Sequence, residues 1–171
     1  WGGALELTPA DSKIIQIEKQ LKIDPEAQMI ASIFAKKLAV NSNFILIDIP
    51  YGKNAKVSKS HAIRIKKKFE KLGKYFHKDV RVVLTKGDEP IGNGIGPILE
   101  LIDIIKVLSL DKDSPKDLEE KSLFLSSQLL EMTGKAKKGQ GYCMAKEILY
   151  SGKAYEKFKQ IIKAQEGTIK D

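Results

Sequence analysis

The spacing of hydrophobic and polar positions divides the chain into helices and two short strands. Thr8-Pro9-Ala10-Asp11 offers a hydroxyl cap, a proline at the first helical position and an acid in the first turn, so a helix is predicted from there to about Leu21. Asp24-Pro25-Glu26 repeats the device and opens a second helix ending near Val40, whose Ala27, Ile30, Ala31, Phe34, Ala35 and Leu38 form a broad apolar surface. Asn41-Ser42 breaks the period, and Phe44 to Ile49 is β-branched and nearly continuous in its hydrophobicity, the pattern of a strand buried on both faces. A helix from about Ser58 to Phe76 then leads to a second strand, Val80 to Thr85, which predicts one parallel βαβ unit with a right-handed crossover. After a loop from Gly87 to Pro97, helices are predicted from Pro97 to about Leu110, from Asp113-Ser114-Pro115 to about Met132, from Gly139 to Tyr150 and from Lys153 to Gln165. Seven helices accompany two strands. Two parallel strands with apolar residues on both faces want flanking strands, which the pattern does not supply.

Composition narrows the class without choosing within it. The chain has 171 residues, 42% hydrophobic and 30% charged, enough for one domain with a core. Even Asn43-Phe-Ile-Leu-Ile-Asp-Ile-Pro50 is broken by Asp48, so no stretch approaches the roughly 20 apolar residues that span a bilayer. Cys143 is the single cysteine, which excludes an intrachain disulfide and a thiolate-rich zinc site and fits a reducing, cytoplasmic setting. It falls on an apolar helix face with no evident base, and is expected to be a buried bystander. His61 and His77 complete a poor metal-ligand inventory. The chain starts at Trp1 with no initiator Met and no charged-then-apolar leader, as expected of a piece of something longer.

Thirty Lys and Arg against 22 Asp and Glu give a formal charge of +8, which favours anionic partners. The basic residues concentrate between Lys56 and Lys78, with Lys66, Lys67 and Lys68 in succession on a segment whose apolar positions are Ile63, Ile65, Phe69 and Leu72. Such a run reads as a solvated helix face. Tyr75 and Phe76 adjoin at one end rather than alternating with charge, which argues against a stacking platform for nucleic acid.

Two glycine patterns imitate phosphate loops. Gly92-x-Gly94-x-Gly96 lacks the glycine that a dinucleotide fingerprint needs at 97, where Pro97 stands. Gly134-Lys-Ala-Lys-Lys-Gly139 is followed by Gln140-Gly141 instead of Lys-Ser/Thr and has no preceding strand, so a basic turn between helices is expected. More informative is the row Asp24, Gln28, Ser32 and Lys36, polar residues at four-residue intervals on an otherwise apolar helix. Either the row faces something polar, or Asp24 is an N-cap and Ser32 and Lys36 lie on a solvated edge. The loop Tyr51-Gly-Lys-Asn-Ala-Lys56-Val57 follows the first strand, and open α/β sheets bind ligands outside the carboxyl ends of their strands, which brings Lys53 and Lys56 into consideration.

Ala31-Ser-Ile-Phe-Ala-Lys-Lys-Leu-Ala39, preceded by Asp24 and followed by Phe44-Ile-Leu-Ile-Asp-Ile-Pro-Tyr-Gly52, resembles the nucleoside phosphorylase family that includes thymidine phosphorylase. Trp1-Gly-Gly-Ala-Leu-Glu-Leu-Thr-Pro-Ala-Asp11, Lys56-Val-Ser, Pro90-Ile-Gly-Asn-Gly-Ile-Gly-Pro-Ile-Leu-Glu100 and Ala164-Gln-Glu-Gly167 resemble its archaeal AMP phosphorylase branch. The resemblance runs along essentially the whole chain, while family members are considerably longer on both sides. It implies an α/β fold, here a helix-rich fragment with a short parallel βαβ sheet and part of a small helical domain: residues 1–42 would supply two helices of that domain and 43–171 the central part of the large α/β domain. It also implies an enzyme, one that carries out phosphorolysis of AMP, with CMP and UMP as further candidates, to free base and ribose 1,5-bisphosphate. Inorganic phosphate is the co-substrate, no metal or redox cofactor is required, no membrane is involved, and the assembly is at least a dimer.

Carried across residue by residue, the resemblance matches Asp24 to the proton donor, Ser32 and Lys56 to nucleotide contacts, and Lys36 to a lysine near the base. Ser32 can donate or accept, toward base or ribose. The Tyr and Arg that grip pyrimidine in thymidine phosphorylases align with Ile14 and Ile17, which argues against a thymidine or pyrimidine nucleoside phosphorylase, the nearer alternative. A basic nucleic-acid-binding module, the alternative of another class, rests only on the charge and the Lys66 to Lys68 cluster.

Overall fold

A computed structural model describes residues 6–168. Among them the order is α1 (Pro9–Leu21), α2 (Glu26–Ala39), β1 (Phe44–Tyr51), α3 (Lys59–Tyr75), β2 (Asp79–Lys86), α4 (Pro97–Leu108), α5 (Lys116–Met132), α6 (Gly141–Tyr150) and α7 (Lys153–Ala164). This is a helix-rich α/β fold in which β1 and β2 form a two-stranded sheet with α3 between them in sequence. Asp79 N donates to Asn43 O at 3.0 Å and Gly87 N to Tyr51 O at 2.9 Å, and the offset between partners is the same at both ends, as parallel register requires.

Contacts within the chain separate two compact units, one made of Trp1–Ile49 and Ser60–Val83, the other of Pro50–Lys59 and Leu84–Asp171. In the first, Ile30 and Phe34 of α2, Ile45, Ile47 and Ile49 of β1, Ala62, Ile65 and Phe69 of α3, and Val82 of β2 are buried. The α3 residues recur every three or four positions and face inward together, while Lys67 and Lys68 on the opposite side are exposed, as a solvated basic face predicts. Lys68 is not idle: with His61 it engages Glu26 in the first turn of α2, and these two neighbours, Lys68 foremost, hold that carboxyl below the usual glutamate range. In the second unit, Val107 of α4, Leu123 of α5, and Ala145 and Leu149 of α6 form a buried cluster.

Three expectations need correction. β1 is not buried on both faces: Ile45, Ile47 and Ile49 are buried, whereas Leu46 and Asp48 between them are only half-buried, the alternation of a one-sided strand. The Thr8 hydroxyl makes no cap hydrogen bond and is buried without a partner; α1 opens on the backbone bond from Ser12 N to Thr8 O instead. Cys143 is exposed. On α6 the buried row is Gly141, Ala145 and Leu149, and a residue two positions from Gly141 points to the other side of the helix.

Candidate functional site

Two of the residues matched by resemblance, Ser32 and Lys36, meet on the face of α2 turned toward α1, and the group they meet on is Asp11. Pro9 and Ala10 precede Asp11 in the first turn of α1, where the exposed amide ends of a helix favour an anion. Its side chain turns to α2: Ser32 Oγ donates to Asp11 Oδ2 at 2.8 Å, Gln28 Nε2 donates to Oδ1 at 3.3 Å, and Lys36 Nζ forms an ion pair with Oδ2. Lys36 Nζ also donates to Ser32 Oγ at 2.8 Å. The spacing of four residues stacks Gln28, Ser32 and Lys36 on one line, so one carboxylate serves all three. Asp11 is 7% exposed and Lys36 and Ser32 are half-buried, which sets aside the solvated-edge alternative. Gln28, Ser32 and Lys36 of the row thus face the acid of the preceding helix.

The electrostatics of Asp11 follow from those contacts. Burial pushes its carboxyl up, but Lys36, Ser32 and Gln28 together outweigh burial and hold it below the ordinary aspartate value. A carboxyl held low gives up no useful proton near neutral pH, so Asp11 is unsuited to general acid work. Asp24 lies before Pro25, which occupies the N-cap position of α2 without a side-chain cap bond; the helix itself begins at Glu26. Asp24 is exposed, about two helical turns N-terminal of Ser32, and is not among the residues bonded to Asp11.

Lys56 belongs to the other unit, in the loop at the carboxyl end of β1. That loop is built on Asp88, from the segment after β2. Asp88 Oδ1 accepts from Lys53 N at 2.7 Å, and Asn54 Nδ2 reaches Asp88 O at 3.4 Å. Gly52 leaves room for the carboxylate, since a Cβ there would lie 2.2 Å from Asp88 Oδ1. Gly52 N donates to Val57 O at 3.2 Å, closing the turn and leaving Lys56 exposed on it.

Both imitations of phosphate loops have their amides filled by the protein's own carboxylates. Asp103, 4% exposed, accepts from Asn93 N at 2.7 Å and Gly94 N at 2.8 Å, Asp117 takes Gly92 N at 3.0 Å, and Glu100 takes Gly96 N at 3.0 Å. Glu131 Oε1 likewise accepts from Gly139 N at 2.9 Å and Gly141 N at 3.1 Å. These amides are satisfied internally, so neither loop offers a cradle for an anion. An apolar cavity of about 310 Å³ lies among α4, α5, α6 and α7, lined by Leu118, Leu123, Leu130 and Leu149 among others, and no charged side chain reaches it. Among the described residues, no three His, Cys, Asp or Glu gather as metal ligands would.

The period of the row on α2 leaves open whether it faces a polar group or solvent, and in the sequence Asp11 carries no mark beyond that of a first-turn acid of α1. Asp88 and Asp103 had no comparable pattern, because their partners are backbone amides in irregular loops.

No family model matches the chain. Among curated proteins, a provisionally named thymidine phosphorylase of Bradyrhizobium diazoefficiens is 49% identical over 166 residues, 96% of this chain and 32% of its own length. A protein of the same name from Rhodopseudomonas palustris is 49% identical over the same shares of both chains. An AMP phosphorylase of Methanococcus maripaludis is 46% identical over 171 residues, 99% of this chain and 34% of its own length. The chain therefore spans about a third of the length of the curated relatives it matches. With identity at this level along nearly all of its residues, the chain belongs to the thymidine phosphorylase and AMP phosphorylase family.

Proposed function

We propose that this chain is the part of a nucleotide phosphorylase that holds the base of AMP and protonates it as it leaves. The observation that carries the reading is that Ser32 and Lys36, aligned with nucleotide- and base-contacting positions of the family, share one hydrogen-bonded face of α2, with Oγ and Nζ 2.8 Å apart. In the proposed reaction an oxygen of inorganic phosphate forms a bond to the anomeric carbon, the glycosidic bond breaks, and its electron pair leaves with the base. Positive charge develops on the sugar and negative charge on the base, so an acid able to hand a proton to the departing nitrogen lowers the barrier. Asp24 is assigned that role: it is the exposed carboxyl on the N-terminal side of the same row. Lys56 is assigned an anionic group of the nucleotide, for which an exposed ammonium on a closed turn is suited. The products are adenine and ribose 1,5-bisphosphate.

Relatives named for thymidine and for AMP match at similar identity, so the preference for AMP rests on Ile14 and Ile17, which stand on α1 where a pyrimidine enzyme needs polar groups. The domain assignment belongs to the same proposal, with residues 1–42 in a small helical domain, 43–171 in a large α/β domain, and an assembly of at least two subunits in the cytoplasm. The test is phosphate-dependent release of base by the full-length protein from AMP, CMP and thymidine. Release from AMP foremost supports the reading. Release from thymidine alone overturns the nucleotide assignment, and release from none of the three overturns the activity.

A further inference from the structure

Ser32 sits in a network whose direction is forced. Its Oγ lies 2.8 Å from Asp11 Oδ2 and 2.8 Å from Lys36 Nζ. A carboxylate only accepts and an ammonium only donates. The hydroxyl proton therefore points at Asp11, and one oxygen lone pair is taken by Lys36. What Ser32 has left for a ligand is its second lone pair, an acceptor. Lys36 is similarly committed, with donors directed at Asp11, at Ser32 Oγ and, at 3.4 Å, at Ser32 O. The other oxygen of Asp11 takes Gln28 Nε2, which fixes the plane of the carboxylate. Because Asp11 is held ionised, this direction persists through neutral pH.

We propose that Asp11 is a specificity-determining positioning residue, which fixes Ser32 as a hydrogen-bond acceptor toward the nucleotide, so that the site selects a substrate group that donates an N–H or O–H. The inference rests on the reading of Ser32 as a nucleotide contact. A substrate carbonyl at this point would meet a lone pair with a lone pair and leave an acceptor unpaired. Two groups of AMP supply the required donor, the exocyclic amine of the base and a hydroxyl of the ribose, and the test separates them.

The experiment uses the full-length protein and compares kcat/KM for AMP with that for purine riboside 5′-monophosphate, which lacks the amine, and for 2′-deoxyadenosine 5′-monophosphate, which lacks one hydroxyl. Both substrates in each ratio meet the same preparation, so a loss of folded protein cancels. The wild-type protein should favour AMP over one of the two analogues by roughly tenfold or more, and the analogue concerned identifies the donor. Asp11→Ala no longer fixes the Ser32 proton away from the substrate, so the acceptor is not held in place and that ratio should shrink severalfold. Asp11→Asn keeps a carbonyl oxygen toward Ser32 and Lys36 and should restore most of the discrimination. If Asp11→Ala lowers activity on all three substrates in proportion, with both ratios unchanged, Asp11 is structural only and the proposal fails. If the wild-type protein discriminates against neither analogue, the acceptor assignment fails while the activity stands. If it releases base from no nucleotide, the functional reading fails and takes this inference with it.

Discussion

Asp11 serves three donors from a nearly buried position, and its worth to the fold depends on pH in a calculable direction. Its folded-state carboxyl titrates below the ordinary value of 3.8, so the unfolded chain binds the proton more tightly. The stability it contributes is complete above that ordinary value and is lost as pH falls through the depressed one. Asp11→Ala should cost about 1–3 kcal/mol near neutral pH, toward the lower end because Lys36 keeps 30% of its side chain in water. Denaturant unfolding from about pH 7 down to pH 3 checks this: the difference between wild type and variant should hold steady and then shrink on the acid side. Asp24 makes the opposite kind of prediction. Asp24→Asn should lower kcat far more than it raises KM for AMP, because a proton donor acts in the transition state; equal effects on both would count against the role. The period marks Ser32 and Lys36 as sharing one face of α2, and the structure brings them together. The partner between them is not legible in the sequence, because a period is silent on what lies opposite a polar face. Cys143 shows the same limit from the other side, since Tyr142 and Met144 beside it suggest an apolar face, while the buried row passes through Gly141 and Ala145.

The helices were legible to within about two or three residues because local chemistry marks their ends: Pro9 and Pro97 at first turns, Gly96 before α4, and Gly152, in the left-handed region with φ 76°, before α7. The burial of β1 was less legible, since a run of Phe, Ile and Leu carries no mark of which face is covered, and only the structure shows Leu46 and Asp48 half-exposed. At the contact between α5 and α6 the decisive feature is a missing side chain. A Cβ on Gly141 would lie 2.4 Å from Ser127 O and 2.9 Å from Glu131 Cγ, and Gly141 N is bonded to Glu131. Gly141→Ala should therefore push α6 off α5 at its first turn and cost about 1–3 kcal/mol. Thermal or denaturant unfolding reads this directly, and a variant as stable as the parent would show that the helices approach less closely than described. At the other end of α6, Glu119 is buried against Lys116 and the Tyr150 hydroxyl, and Lys116 foremost keeps its carboxyl low. The pair with Tyr150 ties the end of α6 to the start of α5.

For the whole molecule, the charge of +8 favours anionic partners without choosing among them. The Lys66 to Lys68 run faces water or pairs with Glu70 and Glu26, while the candidate lysines Lys36 and Lys56 stand elsewhere. No helix of the described residues is long and apolar enough to cross a membrane. The central claim is that the Ser32 and Lys36 face of α2, backed by Asp11 and flanked by Asp24, is where the nucleotide base rests. The most direct measurement is a crystal structure of the full-length protein with AMP and a non-reactive phosphate analogue such as sulfate. The account predicts a donor group of the nucleotide within hydrogen-bond distance of Ser32 Oγ, with the bond from Ser32 to Asp11 intact and the Asp24 carboxyl near the base. A nucleotide bound away from α2, with this cluster untouched, would contradict it.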